Sequence, residues 1–224
     1  RAGASGGRIP RGIPVIVGES IKKSLAGASR YCWKQVVYPS PIHDPEGFSA
    51  EVVRISKDTK AAVVLPMTDV TATILLRCRE LFSGPALPFP SLDAFDRLTN
   101  KCALAEYARS IGFLVPTTIC IKSRKELTSV LDRVQYPVVL KPAQSKIWFE
   151  GRWIGTDVRY IRSREELVIA VDEAQWLAHV PALIQQRIDG EARGVFALYN
   201  HGQPLAWFAH RRLREKPPSG GVSV

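Results

Sequence analysis

The sequence predicts a mixed α/β chain, with a parallel-sheet α/β unit over about residues 1–90 and an antiparallel α+β unit over 91–224. In the first half, short β-branched runs alternate with helical stretches, the pattern of a parallel sheet. In the second half, the last two strand-like runs flank a tight Asn-Gly-containing turn and form an antiparallel hairpin. Between the halves, Gly84-Pro85-Ala86-Leu87-Pro88-Phe89-Pro90 cannot be helix and marks a boundary.

The elements follow in order. Pro14–Val17 and Gln35–Tyr38 are short β-branched runs, stopped by Gly18 and by Pro39-Ser40-Pro41. Asp44–Ile55 places Phe48, Val52 and Ile55 on one helical face. Ala61–Leu65 is continuously apolar, as expected of a strand buried on both faces. Asp69 opens a helix carrying Val70, Ile74, Leu75 and Leu81. Asn100–Ile111 is an amphipathic helix with Leu104, Tyr107, Ala108 and Ile111 on one side and Gly112 as its stop. Thr117–Ile121, Val138–Lys141, Arg159–Ile161 and Ala182–Ile188 are strands. Ser123 with Glu126, and Ser163 with Glu166, are capping boxes that start helices reaching about Val134 and Leu177. Val195–Tyr199 and Leu205–Ala209 form the hairpin, in which at least one of Trp207 and Phe208 should face a core.

Composition bounds the function. The 224 residues are 46% hydrophobic and 23% charged, which excludes wholesale disorder. No apolar stretch reaches the roughly 18 residues needed to span a bilayer. Arg1–Arg11 is basic and Gly-rich without an apolar region, so it does not read as a signal peptide. The missing initiator Met suggests a piece of something longer. The net charge of +10 favours anionic partners: phosphorylated small molecules, nucleic acid or an anionic surface. Only Arg211, Arg212, Arg214 and Lys216 form a dense basic run. Cys32, Cys78, Cys102 and Cys120 form no C-x-x-C pair and read as small buried hydrophobes in a reducing cytosol. His43, His179, His201 and His210 lack metal-ligand spacing, so no metal ligands are assigned.

Four features can carry chemistry. Lys101 lies in the first turn of a helix, where the dipole disfavours a cation unless an anion is bound there. Lys141 ends a buried-looking strand, and Pro142 breaks that strand and fixes the amine at its mouth. Gln185 and Gln186 face opposite sides of one strand, so an inward amide needs a partner, either a ligand base edge or neighbouring backbone. The basic run Arg211-Arg212-Leu213-Arg214 precedes Pro217-Pro218-Ser219-Gly220-Gly221, a loop able to bring backbone N–H groups to an anion.

Taken in order from Lys101, through Pro137-Val138-Val139-Leu140-Lys141-Pro142, to Leu183-Ile184-Gln185-Gln186-Arg187-Ile188-Asp189-Gly190 and the arginines, these features resemble the ATP-grasp superfamily. The resemblance is closest to the carboxylate–amine ligase branch related to carbamoyl-phosphate synthase and biotin carboxylase. It implies a Rossmann-like pre-ATP-grasp domain over 1–90, lacking its first strand and helix, and an ATP-grasp domain over 91–224, incomplete at its C-terminus. It assigns Lys101 to ATP phosphate and Lys141 to the space between adenine and α-phosphate. Gln185, Gln186, Arg187 and Ile188 match the strand over adenine, with the Gln186 carbonyl and the Ile188 N–H on the base edge. Arg211 and Arg212 match the basic residues near the phosphates or acyl substrate, and Ser219-Gly220-Gly221 a segment near the acceptor.

This chain departs from the family pattern in several places. Gln185 stands where the family often has Glu, and Asn100 where it often has Asp. The stretch 142–152 replaces a Gly-rich phosphate-covering loop with one Gly and bulky aromatics. The family's Mg²⁺ ligands fall beyond Val224, so the chain as given is not expected to be a complete catalyst. The complete form would phosphorylate a carboxylate and join the acyl-phosphate to an amine or similar nucleophile. The implied partners are ATP, Mg²⁺ and a small carboxylate, with a homodimer left open, no membrane, and nucleic acid disfavoured. A non-catalytic nucleotide-binding or interaction module is the alternative, and a basic nucleic-acid-binding domain is the third reading.

Overall fold

The computed structural model describes residues 12–216 and 222–223. The loop 217–221, with the Ser219-Gly220-Gly221 assignment, lies outside the described residues. β1 (Val15–Glu19) and β2 (Cys32–Val37) pair in parallel. Next come α1 (Pro45–Asp58), capped by Asp44, and α2 (Asp69–Arg77), capped reciprocally by Thr68 and Thr71. α3 (Leu92–Thr99) follows the Pro-rich boundary and has no counterpart in the sequence prediction. α4 (Lys101–Ser110), β3 (Thr118–Ile121) and the short α5 (Leu127–Val130) lead to β4 (Val138–Pro142). β5 (Ile147–Phe149), β6 (Arg152–Ile154), β7 (Arg159–Ile161) and α6 (Arg164–Glu173) precede β8 (Ala182–Gln186). β9 (Arg193–Asn200) and β10 (Gln203–Arg211) form the hairpin, followed by the small pair β11 (Glu215–Lys216) and β12 (Val222–Ser223).

The central sheet has the order β3-β8-β4-β7 and is antiparallel throughout. Its apolar face meets α5, α6 and the turn 175–178. Ile121, Leu140, Leu167, Val171, Leu183 and Ile184 form a common core. Arg124 closes the C-terminal end of α6, donating through Nε to the Val171 carbonyl and through Nη2 to that of Ala174. A second cluster gathers Phe48, Val70, Ile74, Leu75, Leu76 and Leu87 from α1, α2 and the Pro-rich segment.

Several expectations are corrected. Ala61–Leu65 is not a strand. It makes one parallel bridge, Val63 to Ala86, and Val63 and Leu65 are exposed. Pro85, Pro88 and Pro90 flank Ala86 and lack the N–H donors a ladder needs. In α4, Leu104, Tyr107 and Ile111 are exposed, because the helix meets the core through Cys102 in its first turn. The segment after Ser123 breaks into 3₁₀ turns around four α-helical residues. There Glu126 accepts from the Lys122 N–H, and the Ser129 hydroxyl donates to the Glu126 carbonyl. The helix after Ser163 ends at Glu173, and residues to Ala178 continue as a 3₁₀ turn. Trp207 and Phe208 are both exposed, since no described residue forms a second layer over the hairpin. Cys102 and Cys120 are disulfide-bonded rather than free hydrophobes; only Cys32 and Cys78 are free, and both are half-buried.

Candidate functional site

Lys101 and Lys141 come from different elements and lie close enough for the charge of one to act on the other. β4 delivers Lys141 to the mouth of the sheet, and the chain continues through Pro142 and Ala143. Ala143 is fixed by its N–H donating to the Pro181 carbonyl at 2.8 Å. The Ala143 carbonyl accepts from the Lys101 backbone N–H at 2.8 Å, which seats the start of α4 on this loop. The Lys101 Nζ reaches the Ser145 hydroxyl at 2.9 Å and the Ala143 carbonyl at 3.5 Å.

Asn100 caps α4, its Oδ1 accepting from the Cys102 and Ala103 N–H groups at 3.1 and 3.2 Å. An Asp here would place a carboxylate at the helix start. The neutral amide leaves the positive end of α4 uncompensated beside Lys101.

Lys141 is oriented by a relay that the sequence did not reveal. The Thr118 hydroxyl donates to the Pro116 carbonyl at 2.8 Å, so its oxygen is left to accept from Gln185 Nε2, also at 2.8 Å. That fixes the Gln185 amide with Oε1 toward Lys141, which donates to it at 2.7 Å. The inward Gln therefore finds its partners in Lys141 and Thr118. Gln186, on the other face, donates through its backbone N–H to the Thr117 carbonyl at 2.8 Å, and its Oε1 accepts from the Thr117 N–H at 3.4 Å.

Both amines are pushed below the ordinary lysine range. For Lys141 the causes are burial and the Lys101 charge. For Lys101 the cause is burial, partly offset by Asp69. Neither forms an ion pair with a described carboxylate. Two half-buried cations close enough to feel each other's charge, each held by neutral partners, favour an anion of more than one charge.

The other candidates are held by other contacts. Arg187 pairs with Asp189 at 3.0 Å and stands 5.7 Å from the Tyr160 ring. The Arg187 N–H donates to the Pro137 carbonyl at 3.2 Å. Ile188 is exposed and its N–H makes no hydrogen bond within the described residues. Arg211 pairs with Glu191 at 3.2 Å at the base of the hairpin, and the Arg212 N–H donates to the Ala192 carbonyl at 2.9 Å. The structure thus unites Lys101, Lys141 and Gln185, while Arg187 pairs with Asp189 and Arg211 with Glu191.

The segment after Lys141 is a two-residue β-hairpin. Glu150 and Gly151, at φ 46° and 79°, make the left-handed turn that such a loop requires. Ile147 enters the sheet core, Phe149 lies 4.5 Å from the His179 ring, and Trp153 Nε1 donates to the Pro41 carbonyl at 3.3 Å. Two short apolar runs, Ile147–Phe149 and Trp153–Ile154, on either side of Glu150-Gly151 were the available signal for this hairpin. Among the described residues no three His, Cys, Asp or Glu side chains gather as a metal site, and no Mg²⁺ ligand is assigned to them.

No protein-family model and no curated protein matches the sequence. Solved structures match in fold. N5-carboxyaminoimidazole ribonucleotide synthetase from Staphylococcus aureus, solved with ADP, matches with a TM-score of 0.62 at 12% identity, over 90% of this chain and 49% of that one. L-amino acid ligase from Bacillus licheniformis matches with 0.56 at 18% identity, over 82% and 40%. Biotin carboxylase from Campylobacter jejuni, solved with beta-gamma-ATP, matches with 0.55 at 13% identity, over 80% and 40%. These are ATP-grasp ligases, and over the part it spans this chain has the ATP-grasp fold. It covers less than half the length of each of these three structures. No helix among the described residues is long and apolar enough to cross a membrane.

Proposed function

We propose that this chain binds ATP, with Lys101 and Lys141 on the phosphates and the end of β8 along the adenine. The carrying observation is the proximity of the two lysine charges, Lys101 held by Ser145 and Lys141 by Gln185, with both amines pushed down and no described carboxylate paired to either. A triphosphate supplies the missing negative charge. The Ile188 N–H is available to a ring nitrogen, and the Gln186 carbonyl is assigned to the adenine amino group. Gln185 acts through Lys141, which it orients. Arg211 and Arg212 are assigned to the phosphates or acyl substrate in the complete form, which requires Arg211 to exchange its Glu191 contact for substrate.

In this reading residues 1–90 are the Rossmann-like pre-ATP-grasp domain and 91–224 belong to the ATP-grasp domain. The complete protein is a cytoplasmic ATP-dependent ligase that forms an acyl-phosphate from a small carboxylate and passes it to an amine or similar nucleophile. Mg²⁺ is the metal that the resemblance implies for the complete protein, and none of the described residues is assigned to it. Self-association follows the 2-oxoglutarate carboxylase biotin carboxylase domain, which was solved as a dimer with MgADP.

Calorimetric titration with ATP tests the site. Lys141→Ala should weaken binding about 100-fold, as expected when a charge-assisted phosphate contact is lost. Equal affinity in the two proteins would overturn the assignment.

A further inference from the structure

We infer that the Cys102–Cys120 disulfide is a thiol-reducible clasp that holds Lys101 in position and so regulates the phosphate site. The regulatory half rests on the nucleotide reading above; the clasp itself does not.

The bond joins the two supports of the lysine pair. Cys102 is the residue after Lys101, in the first turn of α4. Cys120 lies on β3, two residues after Thr118, which orients Gln185 and through it Lys141. Little else secures α4. No residue of the helix is fully buried, and its apolar positions Leu104 and Tyr107, with Ile111 just past its end, are exposed. The remaining ties are the α3 neighbour, the partly buried Cys102 side chain, the Asn100 cap, the Lys101 N–H to Ala143 bond and the reach of the Lys101 amine to Ser145 and Ala143.

The same geometry gives the exchange a direction. Cys120 is exposed, so an incoming thiolate reaches its sulfur. Cys102 sits at a helix N-terminus beside a lysine, where a thiolate is stabilised and leaves readily. A dithiol reductant attacks Cys120, Cys102 departs as thiolate and takes a proton, and the second reductant thiol then releases Cys120. Two S–H groups form, the S–S bond breaks, and the reductant is oxidised to its own disulfide. Cys78 is a poor competitor: burial pushes its thiol up and it donates to the Ile74 carbonyl at 3.3 Å. In a reducing compartment, an exposed disulfide of this kind belongs to the sensing rather than the structural class.

The test begins with protein purified without reductant, denatured and alkylated. Peptide mapping should show Cys32 and Cys78 labelled and the 102 and 120 peptides linked. Labelling of all four cysteines overturns the inference. Hydrogen exchange before and after dithiothreitol is the second measurement, and the amides of residues 101–105 should exchange about tenfold faster once reduced. Unchanged exchange also overturns it. Calorimetry with ATP is the third: reduction should weaken binding about tenfold, and Cys120→Ser should match the reduced protein with or without dithiothreitol. The double variant Cys32→Ser/Cys78→Ser should keep the full response, and loss of it would move the switch to those thiols. Faster exchange with equal ATP affinity in both states overturns the regulatory half. Faster exchange with no ATP binding in either state overturns the nucleotide reading and leaves the clasp standing.

Discussion

The β3-β8-β4-β7 sheet and the β9–β10 hairpin are both antiparallel and rich in apolar side chains, yet they bury them very differently. In the sheet, Leu140 and Ile184 expose 1% and 2% of their surface and Leu183 none. In the hairpin, Phe196 and Trp207 each expose 62%, and Phe208 64%. The sheet has α5, α6 and the turn 175–178 laid over it, whereas no described residue covers the hairpin. Alternation along a strand sets which side chains share a face, and a second layer is what removes that face from water. The functional consequence is that Lys141 stands on a packed, fully paired scaffold, while Arg211 and Arg212 stand on a ribbon held mainly by its own ladder and by Glu191. A site that must hold charged groups within fractions of an ångström gains from the first arrangement.

The contrast is broken most directly from the sheet side. Leu183→Ala deletes buried methyl groups at the middle of β8 and should cost about 3 kcal/mol, read as a lower denaturant midpoint at unchanged slope. A cost below about 1 kcal/mol would show that the sheet is packed no better than the hairpin. A smaller effect is expected from Thr118→Val, which keeps shape but removes the hydroxyl that fixes the Gln185 amide. Stability should fall by about 1 kcal/mol, in the range of one hydrogen bond. ATP affinity should fall about tenfold, because Lys141 loses its orientation rather than its charge. If Thr118→Val and Lys141→Ala weaken ATP equally, Thr118 acts on more than the relay.

The strands of the sheet, α6 and the hairpin were legible because each carried a local signal. Val138–Lys141 ran into a proline, Ser163 stood three residues before Glu166, and Asn200 through Gln203 announced a reversal. The lysines were legible as charges at the ends of apolar elements. The relay was not, because Thr118 and Gln185 are 67 residues apart and only the β3–β8 register makes them neighbours. The disulfide escaped for the same reason: a spacing of 18 matches no local motif, and the pairing depends on how α4 meets β3. Ala61–Leu65 misled because an apolar run reports burial potential without a partner strand, and the segment available to pair with it is interrupted by prolines.

The charged end of the sheet also predicts a pH response. Folding lowers the affinity of Lys141 and Lys101 for their protons, chiefly through burial. Between the depressed folded values and the ordinary value of 10.5, the unfolded chain binds more protons, so stability rises with pH across that window. Urea unfolding from pH 8 upward should therefore show the wild type gaining on the double variant Lys101→Met/Lys141→Met. A wild type that loses ground instead would mean that the amines acquire an acidic partner on folding. Bound ATP should reverse the slope, because a triphosphate raises both lysine pKa values and the complex then weakens as they deprotonate.

The smallest effect belongs to the hairpin. Phe208→Ser removes an aromatic ring that is mostly in water already and lies 6.2 Å, centre to centre, from the Phe196 ring and 6.3 Å from that of His210. Its neighbours are other rings of the same ribbon, so the loss is a cross-strand contact of about 0.5 kcal/mol. The denaturant midpoint of the central sheet should barely move, since no hydrogen bond or core position of that sheet is altered. Set beside Leu183→Ala, the pair of measurements asks whether the hairpin folds with the sheet as one unit. A loss above about 2 kcal/mol for Phe208→Ser would mean that the ring is covered in solution, and that Arg211 and Arg212 stand on a scaffold as well supported as that of Lys141.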